Sequence, residues 1–172
     1  KSQRMHKMHT EKQMKNTLHK MATGFLTLAL FFAFEQTASA KDLTGSAAVL
    51  KGYLEGVKEL AKDNFEKGLA GLKSFDADLK NLSDAAVAKE KEAVQKELAK
   101  ALESKDIRAL RGALKSVSEK VYELHQKLGS GKMGVNAYTC PMANGKWLSL
   151  SKNVENPYYG SSMFDCGEKL TK

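Results

Sequence analysis

The sequence predicts a mainly α-helical domain: an up-down four-helix bundle with a short irregular or β-hairpin C-terminal tail. Three observations carry this prediction. Residues 44–128 contain no proline and are rich in Ala, Leu, Lys and Glu. Their apolar residues recur at steps of three and four, the period of a helix that buries one face. Residues 132–172 differ in kind, holding the only tryptophan and both prolines.

A first helix is expected at about 45–61, with Leu50, Tyr53, Val57 and Leu60 in one stripe. Asp63, with Glu66 three positions on, resembles the start of a capping box and opens a second helix on Leu69, Leu72, Phe75, Leu79 and Leu82. Gly68 and Gly71 weaken that helix by roughly 1 kcal/mol each relative to alanine. Ser83 or Asp84 caps a third, which runs to about Ser104 on Val87, Val94, Leu98 and Ala101. The fourth is the most regular. Asp106 caps it, and Ile107, Leu110, Leu114, Val117, Val121, Leu124 and Leu128 form an unbroken seam that ends at Gly129-Ser130-Gly131. Four helices on short links favour the up-down arrangement, and about 85 residues suffice for a modest core. A three-helix bundle with a kinked second helix is the alternative. In the tail, Asn144-Gly145 is a hairpin signal and Asn156-Pro157 a turn signal.

The N-terminus is expected to be removed. Met21–Phe34 is an apolar run of signal-peptide length, preceded by the basic segment from Met14 and followed by Ala38-Ser39-Ala40. Cleavage after Ala40 leaves residues 41–172, and the run is short for spanning a bilayer. Residues 1–13 carry a His- and Met-rich tract that the same cleavage discards. The organisation expected is therefore an extension and signal peptide at 1–40, a helical bundle at 41–131, and a tail at 132–172 packed on it as part of one domain. The protein is then periplasmic or otherwise exported, with no stable membrane anchor.

Charge narrows the function. Six of the 28 basic and two of the 20 acidic residues lie in the first 40, which leaves 22 and 18, a net charge of +4. These alternate along the helices as a solvated face, with no clustered basic stripe or interleaved aromatics, so nucleic-acid binding is not expected. No phosphate loop, paired-carboxylate motif or thioredoxin-type CxxC stands out, and Tyr122 and His125 read as the edge of a packed helix face. A non-enzyme is expected.

Potential soft ligands are distributed unevenly. After cleavage they are His125, Met133, Cys140, Met142, Met163 and Cys166, and none falls between residues 41 and 124. Two cysteines in an exported chain commonly pair. A Cys140–Cys166 disulfide would contribute about 3–4 kcal/mol on the chain-entropy model and pin the tail. The same residues also suit copper: Cu(I) prefers thiolate and thioether donors, and Cys-x-Met facing Met-x-x-Cys supplies two of each. His125, near the end of the fourth helix, is a further ligand candidate. Zinc would need a fuller set of Cys and His. The tail aromatics Trp147, Tyr158, Tyr159 and Phe164 are either packing onto the bundle or a partner-binding face.

Several ordered blocks of the C-terminal half resemble one family. They are Asp106, Ile107, Arg111 and Ser118; Cys140, Pro141, Met142 and Ala143; Trp147, Leu148 and Ser149; and Asn156, Pro157, Tyr158, Gly160, Met163, Cys166 and Gly167. In this order they resemble the domain of unknown function 3347. Its members are exported helical proteins, found alone or fused to periplasmic adaptors of copper and silver efflux systems. The resemblance implies a heavy-metal-handling role, with Cu(I) or Ag(I) as the ion and an efflux adaptor as partner. Many members carry a histidine in the middle of the last helix, where this chain has Gly112-Ala113-Leu114; if that histidine is a ligand, the site here is incomplete or His125 replaces it. Two functions are therefore expected to compete: a copper-binding accessory protein, and a disulfide-stapled interaction module without a metal.

Overall fold

The computed structural model describes residues 48–129 and 134–171. The segment 1–40 expected to be an extension and signal peptide, the first positions expected of the first helix (45–47), and Met133 lie outside them. The described residues belong to one compact unit, Thr44–Lys172. Among them no helix is long and apolar enough to cross a membrane.

The chain is mainly helical: the described residues form four separate helices followed by a small antiparallel sheet. Helix α1, residues 48–61, buries Leu50, Tyr53, Val57 and Leu60 as its stripe requires. Helix α2 is Phe65–Asn81, and its N-cap is Asn64, whose side chain accepts from the Lys67 amide. Asp63 is not the cap that its spacing to Glu66 suggested. It follows α1 with φ 61°, a left-handed conformation that Asp and Asn tolerate better than most residues and that helix C-termini favour. Capping therefore passes one residue along the chain.

Gly68 and Gly71 have a packing reason for being in α2. A Cβ on Gly71 would lie 2.6 Å from the Gly56 nitrogen, and one on Gly52 would lie 2.4 Å from the Phe75 nitrogen. The backbones of α1 and α2 cross in contact, which only residues without a side chain allow.

Asp84 caps a single 3₁₀ turn, Ala85–Val87, that leads into α3, Ala88–Leu102. The Lys91 ammonium donates to the Lys80 and Leu82 carbonyls, satisfying the end of α2. Helix α4 is Ile107–Lys127; Asp106 caps it by accepting from the Ala109 amide at 2.8 Å. Leu110, Leu114, Val117, Val121 and Leu124 are fully buried along its seam.

The tail forms β1 (Asn136–Cys140), β2 (Gly145–Ser149) and β3 (Glu168–Lys169), antiparallel in the order β2-β1-β3. Asn144 and Gly145 do mark a hairpin, but the loop comprises all four residues 141–144. Asn144 takes the left-handed position (φ 47°), and Gly145 already pairs with Cys140. Gly145 is needed in the strand because a Cβ there would lie 2.9 Å from the Tyr158 ring. Strand β2 packs on α4, and Trp147, Leu148 and Tyr138 join the same core as the helices.

Candidate functional site

The tail is positioned by contacts that begin in the helices. The buried Tyr53 hydroxyl of α1 donates to Ser118 Oγ of α4 at 2.8 Å and accepts the Leu148 amide of β2 at 3.4 Å. Burial pushes the Tyr53 phenol up to about 12, against the lowering effect of these two bonds. Lys146 of β2 forms an ion pair with Glu119 at 3.1 Å and sits 4.8 Å from the Tyr122 ring centroid, both on α4. Tyr122 is thus the edge of the packed face and also a cation–π partner.

The second fastening lies at the far end of the tail. The Arg111 guanidinium donates from Nε to the Pro157 carbonyl at 2.9 Å. From Nη2 it donates to the Leu60 carbonyl at 2.6 Å and to Asp63 Oδ1 at 2.7 Å. The other Asp63 oxygen accepts the Ser161 amide at 3.0 Å. Hydrogen bonds from Ser161 and Arg111 hold the Asp63 carboxyl down at about 2. A residue read from the sequence as a helix cap is thus the junction between α1, α4 and the tail.

Asn156, fully buried, closes the last loop. Its amide nitrogen donates to the Cys166 carbonyl at 2.8 Å, and its side-chain oxygen accepts the Tyr158 amide at 2.8 Å. Its backbone pairs with Phe164 and Gly160. The segment from Asn156 to Cys166 is folded back on itself, and Cys166 is delivered to the end of β1.

Cys140 and Cys166 thereby meet, with Sγ atoms 3.3 Å apart and both thiols free. Cys140 is fully buried, and its sulfur accepts the Ala143 amide at 3.4 Å. Cys166 is half-buried, and its thiol is pushed above its ordinary range, first by the hydrogen bond with Cys140 and then by desolvation. Met142 lies in the hairpin loop two residues from Cys140 and is 68% exposed. Met163 ends the 3₁₀ turn Gly160–Met163, and its carbonyl accepts the Cys166 amide at 3.1 Å. His125 is buried in the last turn of α4 and already has a contact partner. Among the described residues no three His, Cys, Asp or Glu side chains gather as a metal-holding group. The arrangement presents a thiol pair flanked in sequence by two methionines, with one of the thioethers at the surface.

The four tail aromatics separate. Trp147 is fully buried, stacked on Tyr138 at 5.6 Å and met edge-on by Tyr158 at 5.8 Å. Its Nε1 is the buried polar side-chain atom left without a partner among the described residues. Tyr158 is also buried, and its hydroxyl donates to the Lys146 carbonyl. Tyr159 is half-buried, with its hydroxyl on the Met142 carbonyl, and Phe164 is 39% exposed. Only the last two have surface to offer a partner.

Compared with protein-family models, curated proteins and solved structures, the chain matches none of them.

Proposed function

We propose that the protein is an exported heavy-metal-handling accessory that binds Cu(I), or the similarly soft Ag(I), through the thiolates of Cys140 and Cys166. The observation that carries this reading is the 3.3 Å approach of two sulfurs that lie 26 residues apart in the chain. Two thiolates within reach of one ion are the donors that a soft monovalent cation prefers. Met142, long, flexible and exposed beside Cys140, can add a thioether, and Met163 is the corresponding candidate beside Cys166. His125 is the weakest member of the set because it is already engaged. The clustering of soft ligands in the tail and the resemblance to proteins associated with copper and silver efflux support the same reading. They also suggest a periplasmic efflux adaptor as the partner. As the scaffold we infer an up-down four-helix bundle, supported by short connections and by the packing of α2, α3 and α4 on one another.

A competition titration of the reduced, folded protein against a Cu(I) chelator tests this. Cys140→Ser/Cys166→Ser is expected to abolish chelator-competitive binding, and Met142→Ala/Met163→Ala to weaken it. Wild-type binding no tighter than that of the double-serine variant would refute the metal reading.

The same sulfur contact supports a second reading, a disulfide-stapled interaction module. Closing the bond moves the sulfurs from 3.3 Å to about 2.05 Å. Intact mass of protein isolated without reductant then shows the loss of two hydrogens. Free thiols that become protected only on addition of copper count against it.

A further inference from the structure

Beside the thiol pair, α4 and the tail enclose a groove of about 490 Å³, within the size range of small-ligand sites. Its α4 wall presents Arg108, Arg111 and Lys115, its tail wall includes Tyr159 and Ser162, and no acidic residue lines it. We propose that this groove binds a small organic polyanion carrying at least two carboxylate or phosphate groups.

Two independent observations lead to this. The first is Gly112, at the level of the groove in the interior of α4. A glycine there costs about 1 kcal/mol relative to alanine. The crossing glycines of α1 and α2 are required by contact, but a Cβ on Gly112 would meet nothing within 4 Å, and its backbone is ordinary helix. Packing gives no reason for it. A floor without a side chain between Arg108, Arg111 and Lys115 does, because a large side chain there would project into the groove.

The second is the state of the cations. Arg111 is only 14% exposed and is held by three hydrogen bonds from Nε and Nη2. Its Nη1 makes no hydrogen bond among the described residues. It is an immobilised donor, so an anion that meets it does not have to order a flexible side chain. Arg108 and Lys115 form no ion pair among the described residues, whereas Arg111 is partly neutralised by Asp63. Positions 108, 111 and 115 follow the i, i+3, i+7 spacing of one helix face. Their ends are roughly 10 Å apart along the axis, a span suited to two anionic groups rather than one. Charge-assisted hydrogen bonds from such a row are the strong kind. The inference is independent of the copper reading, since neither Cys140 nor Cys166 lines the groove.

Titration calorimetry of the metal-free, full-length chain at constant ionic strength tests it, with citrate and pyrophosphate as separate probes. At least one is expected to bind, and the two together distinguish a carboxylate from a phosphate preference. Gly112→Leu keeps every charge and fills the groove; it is expected to weaken binding at least roughly ten-fold while leaving the thermal melt unchanged or raised. Arg108→Ala/Lys115→Ala is expected to weaken binding at least roughly ten-fold by removing two charge-assisted partners. Lys73→Ala/Lys96→Ala removes the same charge from exposed sites on α2 and α3 and is expected to stay within about two-fold of wild type. The proposal is overturned if neither probe binds, if Gly112→Leu binds like wild type, or if the distant pair weakens binding as much as the groove pair.

Discussion

Replacing Arg111 by methionine tests whether the tail is fastened as described. Methionine retains an apolar stem of similar reach and removes only the guanidinium. Two partners then lose their donor: the Leu60 carbonyl at 2.6 Å and the Pro157 carbonyl at 2.9 Å. The Pro157 carbonyl, left unpaired, costs about 1–1.5 kcal/mol, and the Leu60 carbonyl, which keeps the Asp63 amide at 3.2 Å, about 0.5–1 kcal/mol. The ion pair with Asp63 adds less than about 1 kcal/mol, because that carboxylate is 40% exposed. The expected loss is about 2–3 kcal/mol, read as a shift in the urea midpoint by circular dichroism. Asp63→Asn isolates the charge, since asparagine tolerates the left-handed backbone and keeps an acceptor. It is expected to cost about 1 kcal/mol at neutral pH once solvent screening is taken into account. Asp63 titrates at about 2 in the fold, against an ordinary 3.8. The folded chain thus binds this proton less readily than the unfolded one, and the contribution is present above 3.8 and is lost as pH falls towards 2. The gap between wild type and Asp63→Asn must close over that window. An Arg111→Met loss below about 1 kcal/mol, or a gap that does not change with pH, would refute the fastening.

Further outcomes follow from the same contacts. Gly71→Ala is expected to lose at least about 2 kcal/mol despite alanine's helix preference, because its Cβ would meet the Gly56 backbone at 2.6–2.7 Å. Gly112→Ala should instead gain up to about 1 kcal/mol, and equal melting temperatures for the two variants would contradict the α1–α2 crossing. Tyr53→Phe is expected to cost about 1–2 kcal/mol by leaving the Leu148 amide and Ser118 hydroxyl without their partner. In wild type this phenol is held at about 12 against an ordinary 10.0, so its stabilising effect is lost as pH rises through that interval. Ultraviolet titration should show the tyrosinate step near 12 diminished in Tyr53→Phe. Asn156→Ala should raise the reactivity of Cys166 towards a thiol reagent while Cys140 stays protected, since only the Cys166 loop loses its clamp.

What the sequence discloses depends on how local the deciding interaction is. The α4 seam and its Asp106 cap are legible because each is settled within a few residues by helix geometry. Asp63 and Asn64 both carry cap-forming side chains, and local pattern does not rank them. Arg111, 48 positions away, takes the carboxylate of the first and leaves the second to cap α2. Gly68 and Gly71 show in sequence only their cost to α2; their use appears once α1 lies against them. Strand β3, two residues long, has no period of its own and exists through its pairing with Tyr138 and Thr139. The soft ligands stood out by their distribution, yet spacing carries no distance. The 3.3 Å approach of the sulfurs depends on how Asn156 folds the loop before Cys166. The groove was missed because Arg108, Arg111 and Lys115 read as part of a solvated face, and only the i, i+3, i+7 row around an unexplained glycine could have signalled it.

These fastenings also determine what sulfur chemistry can do here. On sequence alone, a Cys140–Cys166 disulfide is the feature that would pin the tail. In the fold it is held by the β ladder, by Trp147 packed between Tyr138 and Tyr158, and by the polar clasps of Arg111, Asp63 and Asn156. Both thiols are free in that arrangement. Cys140 and Cys166 are thus brought together by forces that do not depend on a bond between them. A thiol pair preorganised in this way can gain or lose a disulfide, or a soft ion, without the tail having to refold, and ordering the ligands beforehand lowers the entropic cost of binding. A bound ion that favours the folded chain then stabilises it by mass action, so reduced protein should melt higher as Cu(I) is added. The Cys140→Ser/Cys166→Ser variant should keep its fold and show no such rise. Unfolding of that variant would mean that the sulfurs, rather than the clasps, hold the tail.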